Sequence, residues 1–440
     1  MSRSNNNNIN NSNNVKTDAP VFFVEHKKGE VAEVMNLFKN PTIDRDPKKK
    51  KDIIKRVIAY MTLGVDVSKL FHEMVKASHI NDIVTKKMVY MYIVNYADES
   101  DSAFIAINTF INDLKHKDPN VRGLALRSLC SMKFKGAYEY YSKFLYSSLE
   151  DSHHYVRKTA VLGLLKVYKL NPKLITEKDI DMLYDMIKDT NPMVVTNVLH
   201  VLNEIQAEEG GVEVTGKMVN HLLNYVSEYN EWGQNIILKL ISKYTPKDEK
   251  NLLDILNTLE EKNFLKHSCP AIVLGTCKVF INFTKDTNLY KDVLKRIKDP
   301  LITLLSSSES SKSYEMTYTI LCHINLLISK GAKESFKSNY KKFYVNVDEP
   351  YYNKKIKLEI LVQLCDDNNY LDIISEMEEY VNDVSIMFSK ISIISIGVVA
   401  LRVKKSLDNV ITLIKKFLER NVDYVVVQSM KVLEGNKLFV

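Results

Sequence analysis

The 440-residue chain has little glycine and little proline, 13 and 10 residues respectively. A β-rich protein of this length needs both at its many turns, so their scarcity argues for helices joined by short connections. The five cysteines, Cys130, Cys269, Cys277, Cys322 and Cys365, are odd in number and form no Cys-x-x-Cys pair. All sit in apolar, helical-looking stretches. That reads as reduced core thiols of a cytosolic protein and argues against a disulfide framework or a zinc site. No apolar run opens the sequence, and the longest, Ile391 to Leu401, is broken by serines and too short to cross a bilayer. The expectation is a soluble protein whose membrane contact is peripheral. Charge of one sign is also lacking: 61 basic and 54 acidic residues leave a net +7 with no arginine-rich arm. Such a balance suits an acidic membrane or acidic partner and does not require nucleic acid. The sequence contains no Gly-x-Ser-x-Gly, His-Glu-x-x-His or Gly-x-Gly-x-x-Gly motif. We therefore expect no catalytic residue, no cofactor and no metal ligand, and a protein that is not an enzyme.

What the chain has instead is a recurring phrase. It reads Asp118-Pro119-Asn120-Val121-Arg122, then Tyr155-Val156-Arg157, then Asn191-Pro192-Met193-Val194. Degenerate copies occur at Asp82 to Lys86 and at Ser268-Cys269-Pro270. Val121 and Val156 are 35 residues apart, and Val156 and Val194 are 38 apart. A period of that length in helical patterning marks an all-α solenoid, a superhelix of HEAT/armadillo-like helix pairs. Dividing the structured length by the period gives roughly eleven pairs. Residues 1–20, rich in Asn and Ser, are expected to be disordered, with the array filling 21–440. The apolar segment Pro20 to Val24 is expected to dock on another surface.

The phrase starts a helix for physical reasons. Asp118 can accept hydrogen bonds from the free N–H groups of the first turn, and Pro119 suits a position whose N–H has no partner. Val121, Leu124, Ala125, Leu129 and Cys130 then fall on one face, as do Val194, Val198, Leu199, Leu202 and Ile205. In stacked arrays, Asp and Arg residues such as Asp118 and Arg122 can pair between neighbouring repeats. Gly210-Gly211 and Asn171-Pro172 read as helix stops.

Several motifs invite chemistry and carry a blander reading. Gly211 to Met218 matches phosphate-loop spacing but ends in Met218 where a magnesium-binding hydroxyl is required, and the preceding segment looks helical rather than strand-like. We read it as an inter-helix loop. His153-His154 lies at a repeat turn without companion ligands at defined spacing. Asp366-Asp367 opens a polar turn. Trp232, the only tryptophan, is expected in the core or at its edge. The basic pairs Lys86-Lys87 and Lys341-Lys342 read as solvated helix faces. The cluster Lys48, Lys49, Lys50 and Lys51, followed by Lys55-Arg56, is a candidate contact for acidic lipid.

Longer phrases carry a resemblance. Lys27-Lys28-Gly29-Glu30, Val57 to Gly64, Lys86 to Tyr92, Asn95-Tyr96-Ala97, Ala106 to Phe110, Tyr155 to Ala160 and Asn191 to Val195 resemble the N-terminal trunk of β-adaptins. Phe71 to Ser78, Arg122 to Ser128, Glu208 to Val212, His221 to Asn224, Trp232-Gly233-Gln234, Tyr340 to Phe343 and Val425 to Gln428 are most similar to β subunits of the fourth adaptor-protein complex. The resemblance runs from about Lys27 to the end. It implies a vesicle-coat scaffold that clasps a medium subunit and pairs with a second large subunit holding a small one. An Arf-type small GTPase would recruit the complex to an anionic membrane of the Golgi, trans-Golgi network or endosome. By alignment with related trunks, Phe104 and Ile107 are candidate GTPase contacts, and Lys27 and Lys28 candidate lipid contacts. Family members continue into further trunk, hinge and appendage. The resemblance therefore implies an array incomplete at Val440, with an apolar repeat face at that end. A nuclear-transport-like HEAT array would share the periodicity but not these phrases, and a nucleotide hydrolase would have to use Gly211 to Met218.

Overall fold

The computed structural model describes residues 30–40, 43, 46–97, 103–132 and 137–435. Lys27, Lys28, the Pro20 to Val24 segment, the Asn/Ser-rich start and Val440 lie outside them. Among the described residues there is no strand, and eleven helices of one kind alternate with eleven of another. The expected pair count is met. The chain divides into two compact units, Met1–Thr176 and Glu177–Val440.

Each copy of the recurring phrase starts the second helix of a pair, though not every second helix carries one. In the first unit these helices are Pro47–Thr62, Ile83–Tyr96, Pro119–Leu129 and His154–Leu170. Asp46, Asp82, Asp118 and His153 cap them in turn, each side chain accepting a first-turn N–H. In the second unit Asn191, Asn230 and Ser385 do the same for Pro192–Ile205, Glu231–Ile241 and Ile386–Arg402. The degenerate copy at Cys269 still starts a helix at Pro270, but with no side-chain cap. There the fixed φ of proline and the apolar packing suffice.

The two kinds of helix bury differently. Leu407–Leu418, a first helix, buries Val410, Leu413, Ile414 and Phe417, a single stripe at three- and four-residue spacing. Pro119–Leu129, a second helix, buries Val121, Gly123, Leu124, Ala125, Leu126, Ser128 and Leu129, most of its circumference. Second helices touch their own first helix and also the second helix of the next pair, as in Pro119–Leu129 against His154–Leu170 and Ile386–Arg402 against Asp423–Gly435. Each buried Leu, Val or Ile contributes about 1.5–3 kcal/mol, so the stripe between pairs dominates cohesion. Contact is close enough to dictate small residues. A Cβ on Gly123 would stand 2.3 Å from the Tyr155 ring of the next second helix.

Charged bonds run between pairs alongside the apolar contact. Arg122 donates to both carboxylate oxygens of Asp151 at 2.9 Å, and to the His116 and Lys117 carbonyls at 2.9 and 3.0 Å. The expected partner from the repeat phrase, Asp118, instead caps its own helix through the Asn120 N–H at 2.8 Å. Lys51 reaches Asp82 at 2.9 Å, Lys86 reaches Asp113 at 2.5 Å, and in the second unit Lys354 reaches Asp383 at 2.6 Å. In every case the base lies near the start of one second helix; Asp82, Asp151 and Asp383 lie at or just ahead of the start of the next, and Asp113 ends the first helix of the next pair. Lys86 is thus not a solvated face residue: it is 6% exposed, because its stem packs in the seam while its ammonium finds a carboxylate.

Burial pushes the Asp151 carboxyl up, but Arg122 and the His153 N–H outweigh it and hold the group below its ordinary range. A depressed carboxylate stabilises the fold fully above its unfolded value of about 4 and loses that contribution as pH falls through its folded value. Arg122→Ala should cost about 2 kcal/mol in urea denaturation, as expected for losing hydrogen bonds to a charged group. Adding Asp151→Ala should recover part of that loss. The penalty for Arg122→Ala should shrink in acid, and a pH-independent penalty would contradict the ion-pair account.

Candidate functional site

The motifs that invited chemistry have structural roles. The Pro192–Ile205 helix and the Ala207–Glu209 turn precede Gly211 to Met218, where a phosphate loop requires a strand. Gly210 and Gly211 take φ of +98° and +94°, which ends that helical run. Thr215 caps the Gly216–Asn224 helix through the Met218 N–H at 3.4 Å, and Met218 itself is buried. His153 accepts the Tyr155 N–H at 3.2 Å and stacks on His154 at 4.4 Å. Asp366 Oδ1 accepts the N–H groups of Asn368 and Asn369 at 3.0 and 3.2 Å, closing its turn, and Asp367 pairs with Lys405 at 3.4 Å. Among the described residues no group of three or more His, Cys, Asp or Glu is placed to hold a metal. The five cysteines are free thiols, and burial pushes Cys130 and Cys277 up to about 12.

The candidate GTPase pair is split by its own helix. On Ala103–Asp113, Ile107 is 1% exposed and belongs to the core, whereas Phe104 is 45% exposed. Three-residue spacing put the two on neighbouring faces, but the boundary of the buried stripe falls between them. Phe104 meets the exposed Tyr140 edge to face at 5.6 Å, with Ile105 exposed beside it on the helix. These three side chains form the apolar surface at that point.

The lysine cluster occupies the first turn of Pro47–Thr62. Lys48 and Lys49 are exposed. Lys49 lies 3.6 Å from the cap Asp46, and Lys51 is held by Asp82. Backbone hydrogen bonds, that from Lys49 foremost, hold the Asp46 carboxyl below its usual range. Positive charge at a helix start opposes the helix dipole, an unfavourable term of about 0.3–1 kcal/mol per residue. The cluster is therefore not explained by helix stability.

Trp232 is not in the core. It is 79% exposed, at the second position of the Glu231–Ile241 helix. The same position holds an exposed apolar residue in four other second helices, Met193, Tyr352 and Met387 in the second unit and Val84 in the first, whereas Ala271 and Glu315 take it in the two helices between Trp232 and Tyr352. The row escapes periodicity analysis because helical spacing assigns every apolar residue to a buried stripe. The signal lies in distance from the cap: a residue two positions after Asn191, Asn230 or Ser385 sits before the helix has turned its side chains into the seam. Exposed tryptophan and methionine are enriched where proteins bind proteins.

Comparison with known proteins fits this picture. Residues 26–434 match the family described as Adaptin N terminal region. The chain is 40% identical over 406 residues to the AP-4 complex subunit beta of Dictyostelium discoideum, covering 90% of this chain and 47% of that protein. It is 37% identical over 406 residues to the AP-4 complex subunit beta-1 of Mus musculus, covering 91% and 54%. The chain thus spans about half the length of the curated relatives it matches. Its fold resembles a chain in a homology model of the full-length AP-3 complex in an intermediate open conformation, with TM-score 0.59 and 18% identity over 92% of this chain and 70% of that one. With capped helix pairs along the described residues and a match over 26–434, the chain belongs to the adaptin N-terminal family.

Proposed function

We propose that this chain is the trunk of a β-type large subunit of a heterotetrameric vesicle-coat adaptor complex of the AP-4 class. On this reading it is a scaffold and not an enzyme. The observation that carries the proposal is the exposed apolar row at the starts of the second helices, led by Trp232, in a chain whose relatives are named AP-4 complex β subunits. A row of that kind is a surface for protein partners, and the medium, small and second large adaptor subunits are the partners the family implies. An Arf-type small GTPase would dock at Phe104, with Ile105 and Tyr140 completing the contact and Ile107 supporting it from the core. Lys48 to Lys51, and Lys27 and Lys28 ahead of them, would face an anionic Golgi, trans-Golgi or endosomal membrane, whose negative potential would offset the unfavourable dipole term. Residues 21–440 would act as the trunk.

Affinity purification from cells should recover second large, medium and small adaptor chains with this protein. Recovering none would defeat the proposal. Trp232→Ala should change stability in urea denaturation by no more than a surface substitution, about ±0.5 kcal/mol, whereas a core aromatic would lose about 3–5 kcal/mol. The same variant should recover less of the partner chains.

Replacing Lys48, Lys49 and Lys50 with alanine should weaken liposome binding of the assembled complex when the lipid is anionic. Near such a surface each lysine contributes about 1 kcal/mol, and the effect should be larger at low salt. Unchanged sedimentation with anionic liposomes would remove the lysines from the membrane-facing surface.

A further inference from the structure

One buried charge cluster in the Glu177–Val440 unit is out of balance. The Lys357 side chain is 1% exposed, and its ammonium lies 2.5 Å from Glu349 Oε1 and 2.7 Å from Glu309 Oε1. It also donates to the Tyr344 carbonyl at 3.2 Å, and Asn346 donates to Glu349 Oε1 at 2.9 Å. Two carboxylates therefore share one ammonium, an excess of one negative charge. Buried charge is expensive unless paired and hydrogen-bonded. Here the pairing is incomplete: Glu349 Oε2 is buried and accepts no hydrogen bond, and Glu309 Oε1, although 2.7 Å from the ammonium, accepts none either.

Both glutamates line a cavity of about 290 Å³, together with Asn346, Asp348, Tyr314 and Thr317. Lys312 stands at its rim with φ at +52°, a left-handed conformation disfavoured for any residue but glycine. Nearby, Tyr318 and Tyr352 from consecutive second helices meet edge to face at 5.3 Å, both partly exposed. Tyr314 and Glu315 lie within electrostatic reach of Tyr352, and Glu359 within reach of Tyr318. A protein of net charge +7 thus carries an acidic cavity beside an aromatic, acid-flanked surface.

We propose that this cavity is a socket for an arginine side chain presented by a partner protein, with the Tyr318–Tyr352 pair receiving the adjoining chain. The occupant follows from the chemistry. The missing component is a cation with directional N–H donors. A guanidinium offers five such donors in a plane that matches carboxylate oxygens, and it sheds water more readily than an ammonium. Aromatic faces attract it as well. The volume lies below the usual 300–1,000 Å³ of small-molecule pockets and suits one side chain. A metal ion is disfavoured by the absence, among the described residues, of a group of three ligating side chains. The inference does not rest on the adaptor reading, because it concerns the isolated chain.

The test is calorimetric titration of the 440-residue protein with acetyl-glycyl-arginyl-glycine amide, with the citrulline peptide as its neutral counterpart. We expect saturable binding of the arginine peptide in roughly the millimolar range and none of the citrulline peptide. Glu349→Gln should weaken binding by about tenfold, and Lys312→Ala should tighten it by removing the competing rim cation. If circular dichroism shows Glu349→Gln to be unfolded, Glu309→Gln takes its place with the same expectation. Equal binding of both peptides, no saturable heat, or affinity unchanged in the folded glutamine variant would each overturn the proposal.

Discussion

Each helix pair in this chain carries an apolar face that it cannot cover alone, and the next pair has to cover it. This constraint explains why second helices such as Pro119–Leu129 are buried around most of their circumference, while first helices such as Leu407–Leu418 bury one stripe. It also explains Gly123, whose missing side chain lets the Tyr155 ring close onto the preceding helix. Apolar contact is non-directional, so it holds neighbours together without choosing their register. The recurring bond between a base near one helix start and an acid of the next pair supplies direction. Lys51–Asp82, Lys86–Asp113, Arg122–Asp151 and Lys354–Asp383 all span neighbouring pairs in this way.

A protein built on this constraint consumes its apolar faces in stacking and leaves helix starts available for function. Capping chemistry fixes those starts, because Asp, Asn, Ser and His side chains satisfy the first-turn N–H groups. The residue two positions beyond the cap is then set outward. Trp232, Met193, Tyr352 and Met387 are held by rigid helices while their side chains remain exposed. Rigid anchors lose little conformational entropy on binding, which is what the proposed scaffold role requires of its contact points.

The architecture was readable because period, cap and stripe agree. Asp118-Pro119 predicts a helix start, and the stripe from Val121 to Cys130 is buried. The site was less readable, and the failures share a cause. Trp232, assigned to the core or its edge, is exposed, and Lys86, assigned to a solvated face, is buried, because residue type predicts burial only on average. What decides each case is position relative to the cap and to the seam between pairs, and that requires knowing which helix lies opposite. Phe104 and Ile107 show the same limit, since three-residue spacing cannot locate the edge of the buried stripe. The Glu309–Glu349–Lys357 cluster had no signal at all, because its members are 48 residues apart from first to last and belong to no motif.

The central claim is that the starts of the second helices form the partner surface of an adaptor scaffold. First-turn N–H groups lack intrahelical partners, and those that no cap side chain satisfies exchange readily with solvent unless covered. Hydrogen–deuterium exchange, comparing the isolated chain with the assembled complex, tests the claim directly. The account predicts new protection concentrated at residues 191–195, 230–234 and 385–389. Protection confined to first helices such as Leu407–Leu418, or no difference between the two states, would contradict it.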